Sequence, residues 1–431
     1  MGYGSSVIHP IQELTLDKIY KIKQATKRKL LNTAMESKKN TRETDWVIRE
    51  PVPGSTASTD VEDFKYRNTS NIVNTTGAQH WEIDNASITA DDLSSILVAN
   101  EAVDDNAFIG IYGIFDLSPE MGELTAVGDT PTPPPVGSLV SAAFHRGGSR
   151  LAHWNCEHLY SYKNVIGIAD EPVIFEQDEK IDFKLCFTEG SENKFVGLRA
   201  YICEPIGRYF SPNRYMMDAV SKDGIYGYTA LDGTFVRHIP GGIDPVQELT
   251  VAEINRIKKL TMDTIVKMQL EDNVVRSPDD LVIREVQVGD ETNATDFVDL
   301  DVQTAQTSGM QNWAQDDDDL TSGDLSSILA SGEMVPDGKS IGIFGFFDKT
   351  AIPDAHLLSL ETGSGMLFLS QIEHCYAYLG DVPMGISDMP TFYKQTDKID
   401  PKVAFKDGSF DKFFGLRAYI CEKWGDIVSL D

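Results

Sequence analysis

No window of the chain comes near the ~18 consecutive apolar residues that a membrane-spanning helix needs. Cysteine is scarce. The five present, Cys156, Cys186, Cys203, Cys375 and Cys421, are an odd number with no CxxC pair, which argues against a disulfide framework and the common zinc spacings. The spellings of a nucleophile elbow, an HExxH helix, a phosphate loop and a dinucleotide-binding turn are all missing. The chain is therefore expected not to be an enzyme, to carry no cofactor and to hold no metal. The N-terminal run MGYGSSVIHPIQELTLDK has neither a charged nor an apolar leader region, so no secretory signal is expected.

Positive charge is also in deficit. Lys and Arg number 38 against 67 Asp and Glu, for a formal charge of −29, and such a surface repels nucleic acid and anionic lipid. The deficit is uneven. Lys18, Lys21, Lys23, Lys27, Arg28, Lys29, Lys38, Lys39 and Arg42 face a single acid, Glu36, so this stretch is +8 and the remainder of the −29 chain is −37. These nine are the candidates for contact with nucleic acid phosphates or with an acidic neighbouring subunit. Alternatively, their lysines simply face water on an amphipathic helix.

What the chain has in abundance is itself. GLRAYICE stands at 197–204 and again at 415–422; IHPIQELT and IDPVQELT open at Ile8 and Ile243. DWVIRE and DLVIRE end at Glu50 and Glu285, Trp81 pairs with Trp313, and DLSSIL at 92–97 returns at 324–329. IGIYGIFD and IGIFGFFD follow, then EHLYSY and EHCYAY, then KID twice, all in one order. This is a tandem duplication. The offset falls from 232 to 216 between Asp116 and Glu157, where the first copy holds the Pro-rich run TPTPPPVG, as expected of a surface loop.

Each copy begins with helical periodicity, Ile19, Ile22 and Leu30 in the first and Ile254, Ile257 and Leu260 in the second. Thr15 and Thr250 are the predicted N-caps. Downstream the period becomes two: VGLRAYICE puts Leu198, Ala200 and Ile202 on one face and Arg199, Tyr201 and Cys203 on the other. About eight such strands per copy predict a mainly β chain of tandem antiparallel β-sandwiches, jelly-roll-like, each preceded by an amphipathic helix. The expected division is a basic helix at 1–44, a sandwich at 45–207, a linker at 208–242, a helix at 243–276 and a sandwich at 277–431. DLSSIL is expected to form a short helical turn, the Glu-His pairs to start strands, Gly197 to mark a spot without room for a side chain, and the closing Glu204 to exit to solvent.

Three further clusters carry candidate chemistry. His153, Glu157 and His158 could hold zinc or act as acid and base, and the Glu-His pair recurs as Glu373-His374. Asp316 to Asp319 is dense in the hard oxygen ligands calcium takes; the alternative is a solvated loop. Cys203 and Cys421 recur at one place and read as buried core thiols.

A duplicated sandwich with an acidic body and a basic end resembles the virion structural proteins of double jelly-roll type. That resemblance implies a self-assembling capsid protein, a homo-oligomer forming trimers or a larger shell, located in the virion after assembly in host cytoplasm, with no membrane span. Two other readings stand beside it: a tandem carbohydrate- or surface-binding module using aromatics such as Trp81, Trp154 and Trp313, and a sandwich-fold hydrolase using His153, Glu157 and His158.

Overall fold

The computed structural model describes residues 7–38, 45–50, 102–103, 106–116, 138–188, 194–205, 242–272, 277–286, 296–298, 312–315, 326–329, 333–350, 355–362, 365–378, 381–405 and 412–424, with short strand pieces at 53–54, 64–65, 80–83, 94–95, 227–229, 235–237 and 288–289. The chain forms two compact units: 1–41, 46–205 and 373–381 in the first, 42–45, 206–372 and 382–431 in the second. Each helix therefore belongs to a sandwich rather than standing apart. The interval read as a linker contains an antiparallel ribbon, Gly227–Thr229 against Phe235–Arg237.

In the first unit, helix α1 (Leu16–Ser37) starts where the side chain of Thr15 accepts the backbone N–H of Lys18. In the second, α2 (Val251–Glu271) starts at Thr250, which closes a full capping box with Glu253. The buried stripe of α1 runs Ile19, Ile22, Thr26, Leu30, Ala34, steps of three and four that keep one face down.

The strands of the first unit are β1 (Ile8–Pro10), β2 (Trp46–Arg49), β3 (His80–Ile83), β4 (Ser94–Ser95), β5 (Phe108–Asp116), β6 (Leu139–Arg146), β7 (Ser149–Asn155), β8 (Ile166–Phe175), β9 (Ile181–Phe187) and β10 (Lys194–Pro205). One sheet has the order β1-β8-β5-β10-β2, with β3 also on β10; the other is β4-β9-β6-β7. Every pairing in these two sheets is antiparallel. Numbering the eight strands β2, β4 and onward to β10 in sequence, one sheet reads sixth, third, eighth, first and the other second, seventh, fourth, fifth. That interleaving is a jelly roll.

The second unit repeats it: β11 (Ile243–Pro245), β12 (Leu281–Glu285), β13 (Asn312–Gln315), β14 (Ser326–Ser327), β15 (Ser340–Asp348), β16 (Ala355–Thr362), β17 (Gly365–Gln371), β18 (Met384–Lys394), β19 (Asp400–Phe405) and β20 (Lys412–Lys423). Its sheets are β11-β18-β15-β20-β12, with β13 on β20, and β14-β19-β16-β17.

The repeated octapeptide lies in β10 and β20. Leu198, Ala200 and Ile202 enter the core between the sheets, with Ile109, Ile111 and Ile114 from β5 and Phe144, Trp154, Phe183 and Leu185 from the facing sheet. Each such side chain contributes about 1.5–3 kcal/mol by leaving water. The opposite face is buried as well: Arg199, Tyr201 and Cys203 are at most 1% exposed, because α1 packs across β5, β10 and β8. Gly110 permits that approach, since a Cβ there would sit 3.1 Å from Leu30 of the helix. Each unit is thus three layers deep, and only the four-stranded sheet lacks a helix on its outer face among the described residues.

Three local expectations are corrected. Glu157–Ser161 and Glu373–Ala377 are 3-10 turns, not strand starts. The centre of each DLSSIL forms a two-residue strand, Ser94–Ser95 and Ser326–Ser327, paired to β9 and β19. Glu204 does not exit to solvent; it is 0% exposed, held by Arg49.

Candidate binding face

Antiparallel register places three residues from each of β9, β6 and β7 in a grid on the outer side of the first unit's four-stranded sheet. The rows are Asp182, His145, Arg150; then Lys184, Ala143, His153; then Cys186, Ser141, Asn155. Their sequence neighbours Phe183, Phe144, Ala152 and Trp154 point the other way into the core, which is what the period-two alternation of a strand demands. Arg150, His153 and Asn155 on β7 are exposed.

The grid's electrostatics are one-sided. Its single carboxylate, Asp182, is taken by Lys184 at 3.1 Å. Partial burial, then Arg150, then His145 hold the His153 imidazole below its ordinary value, so the three basic groups are close enough to repel. The Nδ1 atom of His145 is closed off without a hydrogen-bond partner. Asn155 accepts the backbone N–H of Glu157 through Oδ1 at 3.1 Å, which leaves its Nδ2 to donate. At the rim, Arg146 pairs with Glu179 at 3.0 Å.

The second unit does not repeat this face. Register puts Glu361 where His145 stands and Met366 and Leu369 at the β17 positions matching Arg150 and His153. Lys402 there is paired to Glu361 at 2.8 Å and to Asp400 at 3.4 Å. The duplication kept the frame and changed the surface.

The basic segment expected from the sequence divides in the structure. Lys23 and Lys27 are buried, at 3% and 1% exposure, with the Lys27 ammonium 4.8 Å from the centre of the Tyr201 ring. They leave the solvent-facing set because α1 turns that side to the sheet. Lys18 pairs with Asp170 at 3.2 Å and Lys21 with Asp17 at 2.6 Å. Lys29 is exposed, Arg28 and Lys38 half-buried, and Lys39 and Arg42 lie outside the described residues.

His153, Glu157 and His158 are not brought together. The His158 Nε2 lies 3.0 Å from the Ile8 carbonyl, Glu157 is exposed, and no hydrogen bond among the described residues joins any two of the three. In the second copy Glu373 and His374 are buried. No group of metal-ligating side chains occurs among the described residues; Asp316 to Asp319 lies outside them. Trp154 is a core residue, 1% exposed and edge-on to Phe144 at 4.6 Å, so it cannot stack on a ligand. Trp81 and Trp313 sit in β3 and β13, their side chains outside the described set. All five cysteines are free and buried. Burial raises the Cys156 and Cys203 thiols far above their ordinary value and pushes Cys421 up to about 12, which disfavours the thiolate at these three.

Sequence reading missed a pair of charge locks, the first buried and the second half-buried. Arg49 of β2 donates to Glu204 of β10. Its counterpart Arg284 of β12 bonds Glu422 of β20 and, at 2.6 and 2.7 Å, both carboxylate oxygens of Asp296, and Lys339 lies 3.0 Å from Glu422. The available signal was the recurrence of VIRE and YICE in both copies. Among the described residues no helix is long and apolar enough to cross a membrane.

No family model matches the chain, and no curated protein matches it. Among solved structures it is similar to the tandem CBM51 modules of a family 98 glycoside hydrolase from Streptococcus pneumoniae, at 10% identity over 89% of this chain and 99% of that one, with a TM-score of 0.19. A tandem CBM22 domain of Paenibacillus barcinonensis Xyn10C aligns at 8% identity over 86% of this chain and 92% of that one, TM-score 0.15. Dimeric latent PorU from Porphyromonas gingivalis aligns at 8% over 74% and 21%, TM-score 0.16. At TM-scores this low none of them tells what this chain binds.

Proposed function

We propose that the chain is a binding protein built as a tandem pair of β-sandwiches, a carbohydrate- or surface-recognition module whose working surface is the grid on β9, β6 and β7. The observation that carries this reading is the asymmetry between copies. The inter-sheet core, the capped helix and the Arg-Glu lock recur in both, whereas Arg150, His145 and His153 occupy an exposed sheet face in only one. A frame kept in both copies sets the fold, and what a unit does lies in the site carried on it. Screening the purified chain against immobilised glycans tests it. The expected result is binding that Arg150→Ala with His153→Ala abolishes at unchanged Tm; a blank screen, or binding that the double variant leaves intact, would overturn the reading.

A second reading, a shell-forming virion subunit, is favoured by the same register and lock at equivalent places in both units, since a repeated frame can make quasi-equivalent contacts around a closed assembly. In that reading Lys18, Lys21 and Lys29 of α1 would face nucleic acid or an acidic neighbouring subunit. Negative-stain microscopy separates the two: trimers, rings or shells would favour the subunit, and monomers at high concentration the module.

A further inference from the structure

We infer that the grid of the first unit recognises acidic saccharides, chains bearing carboxylate or sulfate, with Arg150 as the central anion contact. The inference rests on the binding-module reading and names its ligand class.

Charge balance is the starting point. In a chain of net charge −29, Arg150, His145 and His153 gather on one patch of sheet. Arg150 has no carboxylate within ion-pair distance among the described residues, and the grid's one acid, Asp182, is already paired to Lys184. The groups around Arg150 are His145 directly across on β6, His153 further along its own strand, Lys184 and Asp182 on β9, and Arg146 with Glu179 at the rim. Cations and imidazoles thus outnumber the carboxylates, both of which are engaged. The second unit shows the alternative, with Glu361 in the place of His145 and bonded to Lys402.

Donor geometry narrows the anion. A guanidinium presents a planar fork that fits the paired oxygens of carboxylate or sulfate, and a protonated imidazole adds a directed donor. Asn155 offers a neutral amide donor in the next row but one, suited to a hydroxyl. Strand spacing makes three strands ~10 Å wide, and three alternate rows span ~13 Å along them. That area fits several linked rings carrying both acid groups and hydroxyls, rather than one small ion. Repulsion from the acidic body is confined by a screening length of about 8 Å at physiological salt, so the groups of the grid decide the contact.

The test is calorimetric titration of the full chain with three probes: a heparin-derived hexasaccharide for sulfate, a galacturonate oligomer for carboxylate, and cellohexaose as the neutral control. Binding of an acidic probe and not the neutral one is expected, weakened at least about tenfold by Arg150→Gln. It should tighten between about pH 7.5 and about pH 5.5, with His153→Gln flattening that rise. His153 sits below its ordinary 6.5, so the rise should fall in the acid half of the interval. Lys163→Gln, an exposed change in the turn before β8, controls for net charge and should alter nothing. Because Arg150 and His153 are exposed, Tm should be unchanged in both variants. Equal or sole binding of cellohexaose would overturn the acidic preference and leave the module reading intact. Acidic binding unaffected by Arg150→Gln would overturn the assignment to this face, and no binding of any saccharide would remove both.

Discussion

The guanidinium of Arg49 donates through Nε and Nη2 to both carboxylate oxygens of Glu204, at 2.6 and 3.2 Å, with 4% and 0% of the two side chains exposed. The pair joins β2 to the end of β10, inside the first unit. Removing one partner strands a buried charge, which typically costs about 3–5 kcal/mol. Arg49→Met is therefore expected to lower the urea midpoint strongly. The double variant Arg49→Met with Glu204→Met should recover part of the loss, because the Glu204 carboxylate is then no longer stranded. Arg284 is 30% exposed, so Arg284→Met should cost less than Arg49→Met; the reverse order would contradict burial as the cause.

Gly197 opens the first octapeptide, and a Cβ built there would lie 2.0 Å from the Phe115 Cζ. No rotation of a methyl relieves that distance; the ring or the strand must move. Gly197→Ala is expected to destabilise by about 1–3 kcal/mol, the usual cost of overpacking. Pairing it with Phe115→Leu should return part of the loss, read as a shift in denaturant midpoint. Phe115→Leu alone should be destabilising, so recovery in the double variant would locate the clash at this ring.

How far the sequence discloses this molecule depends on what kind of pattern each feature follows. The duplication, the two helices with caps at Thr15 and Thr250, and the alternation of Leu198, Ala200 and Ile202 were all legible, since local periodicity fixes them. The Arg49-Glu204 lock was not, because it joins residues 155 positions apart and a terminal Glu reads as a solvent exit until the partner strand is known. Burial of Lys23 and Lys27 was hidden for a related reason. Charge counting assumes water around lysine, whereas the helix here buries two lysines, Lys27 with its ammonium over the Tyr201 ring. His153 was noticed for its nearness to Glu157 and His158, but its strand neighbours are His145 and Arg150. Only register could show that.

The two helices allow a paired comparison of capping. Thr15 accepts one backbone N–H, from Lys18 at 3.2 Å. Thr250 accepts from Glu253 at 3.2 Å, and the Glu253 carboxylate returns a bond to the Thr250 backbone N–H at 2.7 Å. Replacing either Thr with Ala should cost about 0.5–2 kcal/mol, with Thr250→Ala the larger loss because the Thr250 hydroxyl also donates to the Glu253 carboxylate at 2.8 Å. Amide hydrogen exchange at the first turn of each helix is the direct measurement. Equal acceleration in both variants would mean that the hydroxyl's bond to the Glu253 carboxylate adds nothing.

Asp170 supplies a pH-dependent contact of the first unit. Burial raises its carboxyl, but His9 at 2.8 Å and Lys18 at 3.2 Å outweigh that and hold it below the ordinary 3.8. A carboxyl whose folded value lies below its unfolded one binds fewer protons when folded. Its stabilisation is complete above the unfolded value and disappears as the pH falls through the folded one. With 41% of the side chain exposed, solvent screening keeps the effect small. Asp170→Asn should therefore lower Tm modestly at neutral pH, and the gap from the wild type should close as the pH drops from about 5 to about 2. The second copy places Asp244, Asp388 and Glu253 at the positions of His9, Asp170 and Lys18, so the basic partners of this contact belong to the first unit. A Tm gap that stays constant down to the acid limit would mean that His9 and Lys18 do not hold the Asp170 carboxylate.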